Sequence, residues 1–168
     1  MKEKIKSFFQ KINPYVSVYS VSIAIPLAVG ITSAAITRDG MNIYEKLNIP
    51  PLAPPSWVFP IVWTLLFILM GISSAMIFTN RKANTTSAKS GLKNYGISLA
   101  LNFLWSIVFF NLQAAFFALI ILIILLFSII KTIIEYLKVD AKAAYLQLPY
   151  AIWVAFAGYL NLVIWIIN

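Results

Sequence analysis

The 168-residue chain contains no cysteine and no histidine. Their absence excludes disulfides, thiolate nucleophiles, Cys/His zinc sites and the usual axial ligand of haem iron. Neither a Ser-His-Asp triad nor a Cys–His pair can be assembled. Charge is also scarce: 11% of residues are charged, against about a quarter in a soluble domain. Hydrophobic residues make up 61%, and this balance reads as a membrane protein. No acid falls at mid-depth of an apolar run, which disfavours a proton-coupled pump or an ion channel. No internal repeat is visible, which argues against an inverted-repeat transporter.

What is present is a set of apolar runs. A membrane-crossing helix needs about 20 predominantly apolar residues, and five segments meet that length: 15–37, 57–79, 92–112, 114–137 and 143–167. The expected fold is all-α, a five-transmembrane-helix bundle forming one domain over 1–168. Pro26 and Gly30 predict a kink or close helix contact in the first span. The fourth, almost purely aliphatic, reads as lipid-facing or structural. A signal peptide at the N-terminus is rejected, because the apolar run is too long and the basic region too extended.

The net charge of +8 is a topology signal. Lys2, Lys4, Lys6 and Lys11 precede the first span, and Arg81, Lys82, Lys89 and Lys93 surround the second connection. Lys131, Lys138 and Lys142 lie near the fourth connection. All fall on one side of a five-span path, where the positive-inside rule puts the N-terminus in the cytoplasm and the C-terminus outside. Nucleic acid is not expected as a partner; membrane lipid is.

The long connection 38–56 leads into the most distinctive stretch, LNIPPLAPPSWVFPIVWTLLFILM. Pro50, Pro51, Pro54 and Pro55 cannot sit in a regular helix or a paired strand. Irregular backbone is not tolerated against lipid, so this stretch is expected at the membrane surface or over a cavity, as a pocket lid.

Within the spans, Asn102, Trp105, Phe109 and Gln113 recur at i, i+3, i+7 and i+11, on one helical face. Trp153, Ala157 and Asn161 share a face of the fifth span, with Tyr150 beside them. Trp57 opens the second span and Trp63 lies roughly 9 Å deeper, at about 1.5 Å per residue. Trp57 and Trp165 stand at span ends, where indoles favour the headgroup region. The deeper tryptophans and amides could serve helix packing alone, but together they suggest a flat aromatic slot. Such a slot suits a planar, largely apolar ligand held by stacking and oriented by a few amides. Arg38 and Lys46 are candidate partners for ligand carboxylates. No metal site or cofactor is expected.

Three segments carry a family resemblance: IYEKLNIPPLAPPSWVFPIVWTLLFILMG at 43–71, NFLWSIVFFNLQ at 102–113 and AAYLQLPYAIWVAFAGYLN at 143–161. The chain resembles the TspO/MBR family of tryptophan-rich sensory or translocator proteins. The resemblance implies a five-helix bundle, usually a homodimer. It implies binding of tetrapyrroles such as protoporphyrin IX and haem, and of isoquinoline carboxamide and benzodiazepine-type drugs. It also implies pocket roles for Trp57 and Trp153, with Asn102, Trp105, Phe109, Gln113 and Ala157 nearby and Tyr44 and Pro51 from the loop. Some bacterial members degrade protoporphyrin in light, which would make Trp57 and Trp153 the catalytic pair. Many relatives carry tryptophan where this chain has Ile43 and Leu52, so its loop is expected to grip a ligand less tightly.

A sensor or carrier without chemistry of its own is the expected function. The alternatives are a light-dependent porphyrin-degrading enzyme and a small-molecule or lipid transporter. Ala114 and Ala118, or Ala151 and Ala155, have the small-xxx-small spacing of a dimer face.

Overall fold

The computed structural model describes residues 14–40, 47–48 and 50–168. Among these every regular element is helical: α1 (Pro14–Ile36), α2 (Val58–Asn80), α3 (Thr85–Ser106), α4 (Ala115–Leu137), α5 (Ala141–Tyr145) and α6 (Leu148–Ile167). A π-helical turn, Ile107–Asn111, continues α3.

Polar residues set the helix starts. Asn84 caps α3, its side chain accepting from the Ser87 amide at 3.1 Å. Asp140 caps α5 through the amides of Lys142 at 2.9 Å and Ala143 at 3.3 Å. Both satisfy first-turn donors that have no partner inside the helix. Asp140 also accepts from the Asn80 side chain at 2.7 Å, joining the ends of α2 and α5. Pro149 sits in the first turn of α6, where its missing amide costs no hydrogen bond.

Four stretches are long and apolar enough to cross a membrane: Val16–Ile36, Val58–Asn80, Ala115–Leu137 and Ala141–Ile167. The last is α5 and α6 together, broken at Leu146–Gln147. The expected span 92–112 corresponds to the second half of α3 plus the π turn. The first half of α3 carries Thr85, Thr86, Ser87, Lys89, Ser90, Lys93 and Asn94, so α3 does not stand with the other four.

The helices associate in pairs. α3 packs along α4, α1 along α2, and α4 against α6, while α5 bridges α4 and α2. Contacts of α1 and α2 with α3 are sparse, and those of α2 with α6 sparser. Small residues let the pairs close, as in lipid where packing rather than water expulsion drives association. A Cβ at Gly71 would stand 2.5 Å from the Ile23 Cα, and one at Gly91 would stand 2.6 Å from the Tyr136 ring.

α4 is not merely lipid-facing: Ala118, Leu122, Leu125 and Ile129 are buried at the centre of the bundle, while Phe117, Ile123 and Phe127 point outward. A run that is aliphatic all round hides which side is the core. Ala118 is fully buried within the chain, so the pair it forms with Ala114 is no outer dimer face.

Candidate functional site

Sparse contact between the α1–α2 pair and α3 leaves a cavity of about 420 Å³. Phe59, Trp63 and Phe67 of α2 form one wall, and Asn102, Phe103 and Trp105 of α3, with Phe110 of the π turn, form the back. α1 contributes Gly30, Ser33 and Ala34, Thr37 continues the i, i+3, i+4 and i+7 spacing just past its end, and Arg38 follows at the rim. The α1 stripe, small and hydroxylated inside an apolar helix, was visible in the sequence by that spacing and was missed.

The aromatic groups interlock. Trp63 stacks on Phe67 at 5.6 Å between ring centroids and lies 6.2 Å from Trp105 and from Tyr150. Trp105 stacks on Phe109 at 5.7 Å. Buried amides hold the array in place. Asn102 Nδ2 donates to Tyr150 Oη at 3.4 Å, and Trp105 Nε1 donates to Asn161 Oδ1 at 3.3 Å. Asn161 Nδ2 donates in turn to the Ala115 carbonyl at 2.8 Å. The indole of Trp105 is therefore fixed by α6 and the first residue of α4 at once. In a dry interior each such bond spares a polar group the cost of burial without a partner.

The π turn decides where the outer half of the α3 stripe goes. Leu112 N donates to the Ile107 carbonyl at 3.1 Å, an i to i−5 bond that inserts one residue into the turn. Phe109 and Phe110 consequently both point inward, with centroids 5.0 Å apart. Phe109 shares a void of only about 20 Å³ with Trp105, Ala157 and Asn161. Gln113 follows with φ of 53°, and the stripe ends there. Its side chain is exposed and lines a second cavity of about 430 Å³, at the first turn of α4 beside Trp165 and Asn168.

Of the residues expected at the site, Trp63, Asn102, Trp105 and Arg38 surround the main cavity, and Phe109 and Ala157 lie just behind it. Trp57 is 64% exposed and, like Trp153, lines none of these three spaces. Trp153 packs edge-on against Phe59 at 6.0 Å, one aromatic layer back from the cavity. Tyr44 and Lys46 lie outside the described residues.

The described part of the loop does not cover the main cavity; it is tied to α6. Tyr159 Oη donates to the Pro51 carbonyl at 3.3 Å. Asn168 and Asn48 exchange two bonds, with Asn48 N donating to Asn168 Oδ1 at 3.0 Å and Asn168 Nδ2 to the Asn48 carbonyl at 3.1 Å. From this part Leu47 lines the second cavity.

Among the described residues no cluster of three His, Cys, Asp or Glu could hold a metal ion. A helical, multi-pass membrane protein with an aromatic cavity between its first three helices is the class these features define. The chain belongs to the TspO/MBR family, whose sequence profile matches residues 22–166. It is 35% identical to the tryptophan-rich protein TspO of Chlorobaculum tepidum over 158 residues, covering 93% of this chain and 99% of that one. Identity to the tryptophan-rich protein TspO of Archaeoglobus fulgidus is 36% over 148 residues, 88% and 94% of the two chains. The translocator protein of Homo sapiens is 30% identical over 152 residues, 90% of each.

Proposed function

We propose that the cavity between α1, α2 and α3 binds a planar tetrapyrrole, protoporphyrin IX or haem, and that the protein acts as a membrane sensor or carrier for it. One observation carries this reading: an aromatic space of about 420 Å³ with an amide at its back and a guanidinium at its rim. Rings of that kind stack on a macrocycle, Asn102 orients it, and Arg38 pairs with a propionate at the headgroup level. With no histidine in the chain, a bound haem is held by stacking rather than by coordination from that side chain. The same apolar walls suit isoquinoline carboxamide and benzodiazepine-type drugs. The reading includes α3 as a fifth span, a cytoplasmic N-terminus, an outer C-terminus and a homodimer.

A second reading, light-dependent oxidative degradation of the porphyrin, is favoured by the two indoles on the cavity walls. Trp63 and Trp105, rather than Trp57 and Trp153, stand where an excited macrocycle would meet an electron donor.

The test is a titration of detergent-solubilised protein with protoporphyrin IX, followed by absorbance and fluorescence in the dark and then in light. Saturable quenching, unchanged by light and weakened by Trp105→Phe, is the expected outcome. Protein-dependent bleaching lost in Trp63→Phe or Trp105→Phe selects the enzyme instead. No saturable binding rejects both.

A further inference from the structure

The cavity has a back and a rim, and they belong to different helices. Every wall residue from α3 is buried or half-buried, whereas Ile31 and Ala34 of α1, Arg38 just past its end, and Pro60 and Thr64 of α2 are exposed. Ile31 is 71% exposed although it lines the cavity. The opening is therefore flanked by α1 and α2 and faces sideways, while α3 closes the far side. The described loop residues, 47–48 and 50–56, are absent from its lining, and Asn48 and Pro51 are tied to Asn168 and Tyr159 instead.

The vertical order of groups at this opening matters. α1 is apolar enough to cross a membrane up to Ile36, so Arg38 stands at the level where lipid headgroups begin. Below it the rim is Ala34, Ile31 and Thr64, whose hydroxyl is turned back onto the Pro60 carbonyl at 2.7 Å. Cation above and hydrocarbon below is the arrangement a carboxylated planar amphiphile already occupies in a leaflet. Such a molecule can slide from lipid into the cavity without turning over and without taking its carboxylate out of the headgroup layer. Entry from water would instead carry the apolar ring past the charged end of α1.

Pro26 cannot donate to the Ser22 carbonyl, and every cavity residue that α1 supplies lies in 27–38. The close backbone approach to α2, Ser22 and Ile23 against Gly71, lies on the other side of that proline. The rim half is itself held, by Asn111 Nδ2 donating to the Ile36 carbonyl at 3.1 Å and by the close approach of Gly30 to the Phe67 ring, so the opening is a standing one rather than a gate.

From these features, and resting on the ligand reading above, we infer a lateral port between α1 and α2 that admits carboxylated planar amphiphiles from the bilayer. The chain has no cysteine, so Ala35→Cys, exposed one turn along α1 from Ile31 and outside the cavity lining, gives a unique thiol at the rim for a bulky maleimide. Protoporphyrin IX in phosphatidylcholine vesicles is the probe, mixed by stopped flow with labelled and unlabelled protein in proteoliposomes. A port predicts that association and dissociation both slow by the same factor, about tenfold or more, with Kd unchanged. It also predicts association rates that follow the porphyrin-to-lipid ratio rather than the aqueous concentration. Unchanged rates on labelling, or a Kd that weakens through faster dissociation, overturn the port while leaving the binding site standing. Absence of saturable binding to the unlabelled protein overturns both. Ile61→Cys, exposed on α2 beside Pro60 and outside the cavity lining, is labelled in the same way and gives an independent second reading should the first variant not fold.

Discussion

The region where α2, α3, α4 and α5 meet and the region between α1, α2 and α3 are made of much the same side chains, yet one is closed and the other open. In the closed region Gln147 Nε2 donates to Ser73 Oγ at 3.0 Å, and Ser73 donates on to the Ala143 carbonyl at 2.7 Å. Gly91 receives the Tyr136 ring, and small residues such as Ala75 and Ala144 are fully buried. In the open region the rings are large and the contacts with α3 sparse. Hydrophobicity does not separate the two. What separates them is side-chain size at the helix crossings.

The sharpest way to break this contrast is Gly71→Ala. The new Cβ would meet backbone of Ile23 at 2.5 Å, so α1 must leave α2, at about 3 kcal/mol. Thermal unfolding in detergent should show a large fall in Tm. Next in size is Gln147→Ala, which leaves the Ser73 hydroxyl without its donor and empties a buried volume, at about 2 kcal/mol. Gly30→Ala belongs to the open region. There the obstacle at 2.3 Å is the Phe67 ring rather than backbone, and the ring has the cavity to turn into. A cost of about 1 kcal/mol is expected, with a clear loss of porphyrin affinity, so that Tm and titration move in opposite proportion to Gly71→Ala. The smallest effect should be a gain. Tyr136 is fully buried and its hydroxyl forms no hydrogen bond among the described residues. Tyr136→Phe is expected to raise stability by about 1 kcal/mol, and a lower Tm would count against that assignment.

Particular residues show what could be read in advance. Asn102 and Trp105 were legible because a straight α-helix keeps i and i+3 on one face, and both reach the cavity. Gln113 was not, because the π turn at 107–111 and the positive φ after it leave no mark in hydrophobic periodicity. The place of Trp57 after the proline run suggests a cavity entrance; the indole is 64% exposed and lines none of the three cavities described above. The buried side of α4 could not be chosen because its aliphatic residues run all round the helix. The pairing of α1 with α2 rests on Gly71 meeting Ile23, a long-range match that no local pattern encodes.

Pro26 has an evolutionary consequence. It lies between the stretch of α1 whose backbone meets Gly71 and the stretch that lines the cavity. Substitutions at exposed lining positions such as Ile31 and Ala34 can reshape the cavity while the contact at Gly71 is kept. On the ligand reading proposed above, a lineage built on this plan could exchange one flat apolar ligand for another by drift at a few positions, without having to solve its folding problem again.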